Sequence, residues 1–228
     1  LLTDDGGILV STPKSKSQNS RLITRTEIDV SEDGSAVASR SIFCSGDEKE
    51  LFDQLRQLNN DDKKSGLVKY LNYRVPDDYL LTFKGDTLNG YGFDYKGAYS
   101  QLFEFKAGSK AFFPQTVSRI SDEELKMDTA RKIEYLFDHP YERIDTTVFI
   151  LPKTMGVETI LPAKSISTDL ASYRFETSYD EASNKLQVIS HLVLRENLVP
   201  PNQYQSLASF FSAVNRNQDQ KLVIKLKE

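Results

Sequence analysis

Alternation with a period of two, broken at short intervals by Gly, Asp and Asn, is the feature that most limits what this chain folds into. Between residues 79 and 113 the sequence predicts four consecutive strands, over 79–84, 90–95, 100–106 and 110–113, with Gly- and Asp-containing turns between them. Short strands at regular spacing build antiparallel sheets, which can show one face to a core and the other to water. The same grammar governs 21–30, where Leu22, Thr24, Thr26, Ile28 and Val30 fall on one side and Arg25, Glu27 and Asp29 on the other. Asp33-Gly34 tolerates the positive φ of a tight turn, so 36–44 returns as the partner strand. The expected fold class is mainly β, with β-sandwich-like antiparallel sheets and a few packed helices, at the margin of α+β.

Helices interrupt this pattern. Ser45 and Glu48 have capping-box spacing ahead of Leu51, Phe52, Leu55 and Leu58 at helical intervals. A second short helix is read over 67–71. After Pro200 and Pro201, the residues Tyr204, Leu207, Ala208, Phe211 and Val214 form an apolar stripe over 201–215, and Leu207 with Phe211 is expected to anchor it on the neighbouring sheet. Further strands are expected over 131–137 and 146–151, just before Pro162, and over 221–226, with a hairpin pairing 173–179 and 186–194. On its return strand Leu186, Val188, Leu192 and Leu194 lie on one side and Ile189 and Val193 on the other, so both faces are read as largely covered. The polar stretch 114–128 is taken as the boundary between a β-rich domain at 1–115, with one or two inserted helices, and a β-sandwich-like domain at 116–228 with a helix near 201–215. Each half holds a hairpin followed by a helix, a match that coincidence between two common motifs explains better than an internal repeat.

With 228 residues and 39% hydrophobic content the chain can bury a real core. Its net charge of −4 comes from interspersed charges with no Lys/Arg block to neutralise a row of phosphates, so nucleic acid is not expected as a partner. The longest apolar runs are a few residues, far below the roughly 20 that a membrane-spanning helix needs. A single cysteine, Cys44, excludes an internal disulfide. There is no initiator Met, and the opening residues read as a hairpin around Asp5-Gly6, which is expected of a fragment of a longer precursor.

Candidate chemistry is sparse. Cys44 with His139 or His191 would give a nucleophile and a base, but Cys44 sits beside Ile42 and Phe43 in a strand pattern, where a free cysteine behaves as a small buried hydrophobe. His139 falls in the turn-like Asp138-His139-Pro140 and His191 in a strand, neither with a second ligand at metal-binding spacing, so no metal and no cofactor is expected. Acids adjoin at Asp4/Asp5, Asp61/Asp62, Asp77/Asp78 and Asp122/Glu123/Glu124, where turns and helix starts favour solvated carboxylates over a catalytic pair. Tyr91, Phe93 and Tyr95 share one face of a strand; exposed, they would form a binding face for sugars or protein, and otherwise they are core packing, the reading favoured by the absence of Trp.

The run Arg131-Lys132-Ile133-Glu134-Tyr135, then Asp145-Thr146-Thr147-Val148-Phe149-Ile150-Leu151-Pro152, then Gly156-Val157-Glu158-Thr159-Ile160-Leu161-Pro162, resembles the C-terminal region of bacterial exported transglutaminase-like proteins. Leu192-Val193-Leu194, Tyr204, Phe210-Phe211 and the closing Lys221-Leu222-Val223-Ile224 add to the likeness. Upstream, Gly6-Gly7, Thr12-Pro13, Asn19 and Asp33-Gly34 resemble the segment after the papain-like core of that family. The resemblance implies a parent protein with a β-rich N-terminal domain, a transglutaminase-like core and this C-terminal region of unknown function. Catalysis in such a core needs a thiolate activated by a His that an Asp orients, and no catalytic position of the family maps onto this sequence. The expectation is a non-catalytic accessory region that packs on or presents the upstream core of the same polypeptide, exported to the periplasm or cell surface. The alternative is an independent β-sandwich that binds carbohydrate or protein.

Overall fold

The computed structural model describes residues 2–3, 6–7, 15–59, 62–63, 65–66, 76–87, 90–126 and 131–227. The helix expected over 67–71 lies outside them. Two-residue strands β1 (Leu2–Thr3) and β2 (Gly6–Gly7) pair antiparallel, as the opening hairpin pattern predicts. The chain then makes β3 (Arg21–Val30), β4 (Ala36–Ser45), helix α1 (Lys49–Gln57), β5 (Asp78–Thr87) and β6 (Gly90–Tyr99). Next come β7 (Phe105–Ala107), β8 (Lys110–Phe113), β9 (Tyr135–Leu136), β10 (Tyr141–Ile150) and β11 (Met155–Thr159). The last elements are β12 (Lys164–Ser167), β13 (Ala171–Asp180), β14 (Lys185–Leu194), β15 (Leu198–Val199), helix α2 (Pro201–Gln218) and β16 (Leu222–Leu226). The fold is mainly β with few helices.

Eight strands form one sheet in the order β12-β13-β14-β10-β3-β4-β6-β5. Every neighbouring pair is antiparallel except β10 and β3, which run parallel with Asp145 opposite Thr24 and Phe149 opposite Ile28. That parallel seam joins strands from the two halves of the sequence, because a parallel partner cannot be supplied by a local hairpin. The turn foreseen at Asp33-Gly34 closes β3 onto β4: Gly34 has φ +91°, its N–H donates to Ser31 O at 3.0 Å, and its own carbonyl accepts from the Leu102 N–H at 2.9 Å. At the β13–β14 turn Asn184 takes φ +52°, and its side-chain NH2 donates to the carbonyls of Leu151, Pro152 and Met155 at 3.0, 2.8 and 3.2 Å. One asparagine thus ties that hairpin to the start of β11.

One face of the large sheet is covered throughout, because register keeps the buried residues in phase from strand to strand. A row across it runs Phe93, Ile42, Thr24, Asp145, Ser190 and Phe175. Helix α1 lays Phe52 against Phe93 at a ring separation of 4.5 Å. A second sheet, ordered β11-β16-β8-β7, contributes Phe113, which meets Phe149 at 6.4 Å. Helix α2 begins with Pro201 after a Pro200 cap, a position where the missing N–H costs nothing, and buries Tyr204, Leu207, Ala208, Phe210, Phe211 and Val214. Leu207 and Phe211 are fully buried, as the stripe predicted, and Phe211 meets Phe137 at 5.9 Å.

The opposite face is a mixture of exposed and half-buried residues on β3 to β6, and its β10 residues and most of those on β14 are half-buried. Ile189 and Val193 are among the latter, so the second face of β14 is less covered than the sequence led one to expect. Three local readings also change. The strand expected over 100–106 is only Phe105–Ala107, because residues 101–104 cross between the two sheets, with the Glu104 N–H donating to Phe112 O at 2.8 Å. The strand expected over 131–137 shrinks to Tyr135–Leu136. Ser45 makes no side-chain cap: a 3-10 turn, Gly46–Glu48, precedes α1, and the Glu48 side chain points inward.

Candidate functional site

Two polar clusters interrupt the apolar interior. The first lies on the covered face at the parallel seam. Arg40 stands in phase with Ala36, Ala38, Ile42 and Cys44 on β4, so its guanidinium is carried into the core and pairs with Asp145 of β10, Nη2 to Oδ1 at 3.0 Å. Both side chains are almost fully buried, at 4% and 7% exposure. Asp145 Oδ1 also accepts from the Thr24 hydroxyl at 2.5 Å and Oδ2 from the Thr147 hydroxyl at 2.9 Å. A second hydrogen bond joins the Thr147 and Thr116 hydroxyls at 3.0 Å. A buried carboxylate is tolerated only with this degree of satisfaction.

The second cluster lies at the end of the sheet where β10 begins. Gly46, at φ +58°, folds the chain tightly against residues 19–20: a Cβ there would sit 2.2 Å from the Asn19 carbonyl oxygen. That turn presents Glu48 to Arg143 of β10, whose Nε donates to Glu48 Oε1 at 3.0 Å, and to His139, whose Nε2 lies 3.5 Å from the same oxygen. Burial opposes ionisation of Glu48, yet the His139 hydrogen bond and the Arg143 charge outweigh it and hold its carboxyl below the usual range. The Arg143 guanidinium stacks 4.2 Å from the Tyr141 ring centre. Beside them is a pocket of about 220 Å3 lined by residues that include Glu123, Tyr135, Phe137, His139, Tyr141 and Arg143. Glu123 differs from Glu48: burial pushes its carboxyl up, with Arg143 only partly offsetting this. The pocket thus sets the Glu48–Arg143 ion pair beside a carboxyl whose ionisation burial disfavours. Its lining carries carboxylates, an imidazole, a guanidinium and the rings of Tyr135 and Tyr141, and no Ser, Thr or Cys.

The residues singled out in the sequence are dispersed. Cys44 is fully buried, and burial raises its thiol to about 12, far from the depressed values of reactive thiolates. Both histidines are engaged elsewhere: His139 meets Glu48, and His191 Nε2 meets Glu142 Oε1 at 3.0 Å on the other face of β10, where Glu142 Oε2 also takes Arg21 Nε at 2.9 Å. Tyr91, Phe93 and Tyr95 are 3%, 1% and 2% exposed, so the aromatic row is packing under α1 and offers no ring face to a ligand. Its alternation is a core signal because β6 is an inner strand whose covered face meets both α1 and β5.

Asp4, Asp5 and Asp61 lie outside the described residues. Asp62 is tied to Asn59, while Asp77 accepts the Ser100 N–H and Asp78 the Tyr79 N–H. Among the described residues no group of three His, Cys, Asp or Glu side chains is placed to hold a metal, and no helix is long and apolar enough to cross a membrane.

Sequence reading missed Arg40, Asp145, Glu48 and Arg143. The signal for Arg40 was its phase: a charged residue on the buried side of an alternating strand. Glu48 gave none, since capping spacing and a buried ion pair look alike until Arg143 is brought beside it.

Against known proteins, no curated protein matches the chain. A solved structure, the crystal structure of baculovirus P35, aligns over 90% of this chain and 96% of its own at 10% identity and a TM-score of 0.21, too low to carry any argument about fold. The family described as "Domain of Unknown Function with solved-structure structure" (DUF3858) matches residues 109–224, just over half of the chain, which takes in β8 to β15, α2 and most of β16. The chain belongs to this family.

Proposed function

We propose that the chain is a non-catalytic accessory region of an exported transglutaminase-like protein, and that it docks on the upstream core of the same polypeptide. The observation that carries the docking is an exposed apolar patch on the β9–β15 ribbon. Leu136 and Leu198 are register partners there, 65% and 45% exposed, and Ile133, in the segment that carries the family resemblance, is 72% exposed. Leu136 and Leu198 stand side by side across the ribbon, and adjoining exposed aliphatic side chains, unlike singly scattered ones, are a feature of interaction surfaces. Contact within one polypeptide needs little intrinsic affinity, because the connection supplies a high effective concentration. The buried, proton-holding Cys44 supports a structural role for the only thiol.

The test has two steps. The reading frame that encodes the chain is expected to encode a Cys-His-Asp core ahead of it; a frame without one overturns the reading. Amide exchange on that full-length protein is then expected to show slower exchange at residues 133–137 and 198–199 than the isolated chain does, and equal exchange in the two removes the docking surface.

A further inference from the structure

On the open face of the large sheet, β3 to β6 enclose a trough of about 420 Å3. Its floor is β4, where Ser39 and Ser41 are exposed. One wall is Arg25 and Glu27 of β3, the other Asp94 and Lys96 of β6. Register places Arg25, Ser41 and Asp94 in one row and Glu27, Ser39 and Lys96 in the next. The charges therefore alternate in both directions, positive facing negative across the trough and along each wall. Asp94 is fixed by the Ser41 hydroxyl at 2.8 Å and by Lys84 at 2.6 Å, while Arg25, Glu27 and Lys96 enter no ion pair among the described residues.

We propose that this face pairs with the same face of a second copy of the chain, about a two-fold axis lying in the interface over β4. An alternating four-charge pattern is its own complement under such a rotation. An axis along the strands sets Arg25 over Asp94 of the second copy and Glu27 over its Lys96; an axis across the strands sets Arg25 over Glu27 and Asp94 over Lys96. Either choice meets every charge with its opposite, the arrangement an isologous contact requires. Serines on the floor let a second sheet approach to the roughly 10 Å at which sheets stack. The adjoining row supplies apolar contact through Phe43, Ile23 and Ile144, and Leu80 projects from the far wall at 65% exposure. Five ten-residue strands spaced about 4.8 Å, with a rise of about 3.3 Å per residue, span roughly 800 Å2, the area each partner gives to a standard interface. This surface is separate from the β9–β15 patch and does not depend on the accessory-region reading.

Sedimentation velocity over a wide concentration range tests it on the chain as described. The expected result is a monomer–dimer equilibrium that Glu27→Lys weakens by about tenfold or more, since each substitution acts twice in a two-fold contact. Glu27→Lys/Lys96→Glu restores the dimer if the axis follows the strands, and Arg25→Glu/Glu27→Arg restores it if the axis crosses them. Ser39→Trp, which fills the trough floor, abolishes it, and Leu136→Asp on the separate patch leaves it unchanged. All of these side chains are exposed, so circular dichroism and the unfolding midpoint confirm that each variant folds. A monomer at every concentration, a dimer indifferent to Glu27→Lys, or a loss that neither double swap repairs overturns the proposal.

Discussion

The covered face of the large sheet has two characters. At its flanks it is aromatic and aliphatic: Phe93 meets Phe52 of α1, and Tyr173 and Phe175 are buried on β13 as Phe211 is on α2. At its centre, where β3 meets β10, it is polar, with Arg40, Asp145, Thr24 and Thr147 bonded to one another in the interior. Flanking strands are joined by hairpins and helices close in sequence, so generic burial suffices to place them. The seam joins residues more than a hundred positions apart in parallel, where loops fix no register and a slip of one residue would turn every side chain to the wrong face. A buried ion pair adds little net stability but penalises wrong pairings heavily, because each leaves a charge uncompensated. We take the polar seam as the device that sets the register between the halves.

Breaking the seam gives the largest expected effect. Asp145→Ala removes the buried carboxylate that faces the Arg40 charge and is expected to cost about 3–5 kcal/mol in denaturant unfolding, whereas Arg40→Met/Asp145→Leu recovers most of that loss. A double variant as unstable as the single one would show that the pair stabilises rather than specifies. At the flank, Phe211→Ala is expected to cost about 3–5 kcal/mol through a cavity, with no partner substitution able to repair it by charge. An unchanged midpoint would make α2 peripheral.

Smaller effects sharpen the contrast. Asn184→Ala removes four side-chain hydrogen bonds, the one from the Tyr179 hydroxyl included, and puts at positive φ a residue that tolerates it less than Asn does; a loss of about 1–3 kcal/mol is expected in the same assay. Acid titration separates buried Glu48 from half-buried Glu123. The folded pKa of Glu48 is depressed below its ordinary 4.5, so its contribution is present above that pH and disappears as pH falls through the folded value. Glu123 is raised above 4.5, so folding is favoured below that pH and loses this contribution as pH rises through the folded value. Glu48→Gln should flatten the acid limb of the stability profile and Glu123→Gln should lift the limb above it; identical profiles would show that neither carboxyl senses its surroundings. The smallest effect expected is at Cys44: under native conditions a thiol reagent should label it only as fast as the chain opens, and rapid labelling would contradict its burial.

Sequence by itself determined the mainly β class, the β3–β4 and β13–β14 hairpins, the turn at Gly34 and the apolar stripe of α2. These rest on side-chain period, turn chemistry and helix spacing, all confined to neighbouring residues. The same local logic put Tyr91, Phe93 and Tyr95 on one side of a strand, since alternation shows which residues share a side. It did not show which faces would be covered. Ile189 and Val193 look as apolar as Leu192, and their half-exposed position follows from the layers being packed on the opposite side of β14. Only the tertiary structure decided the parallel seam, the meeting of Arg40 with Asp145 and of Glu48 with Arg143, and the alternating charges of the trough. Each of these depends on register between strands distant in the chain, and register is set by what the whole sheet buries rather than by any local run of residues.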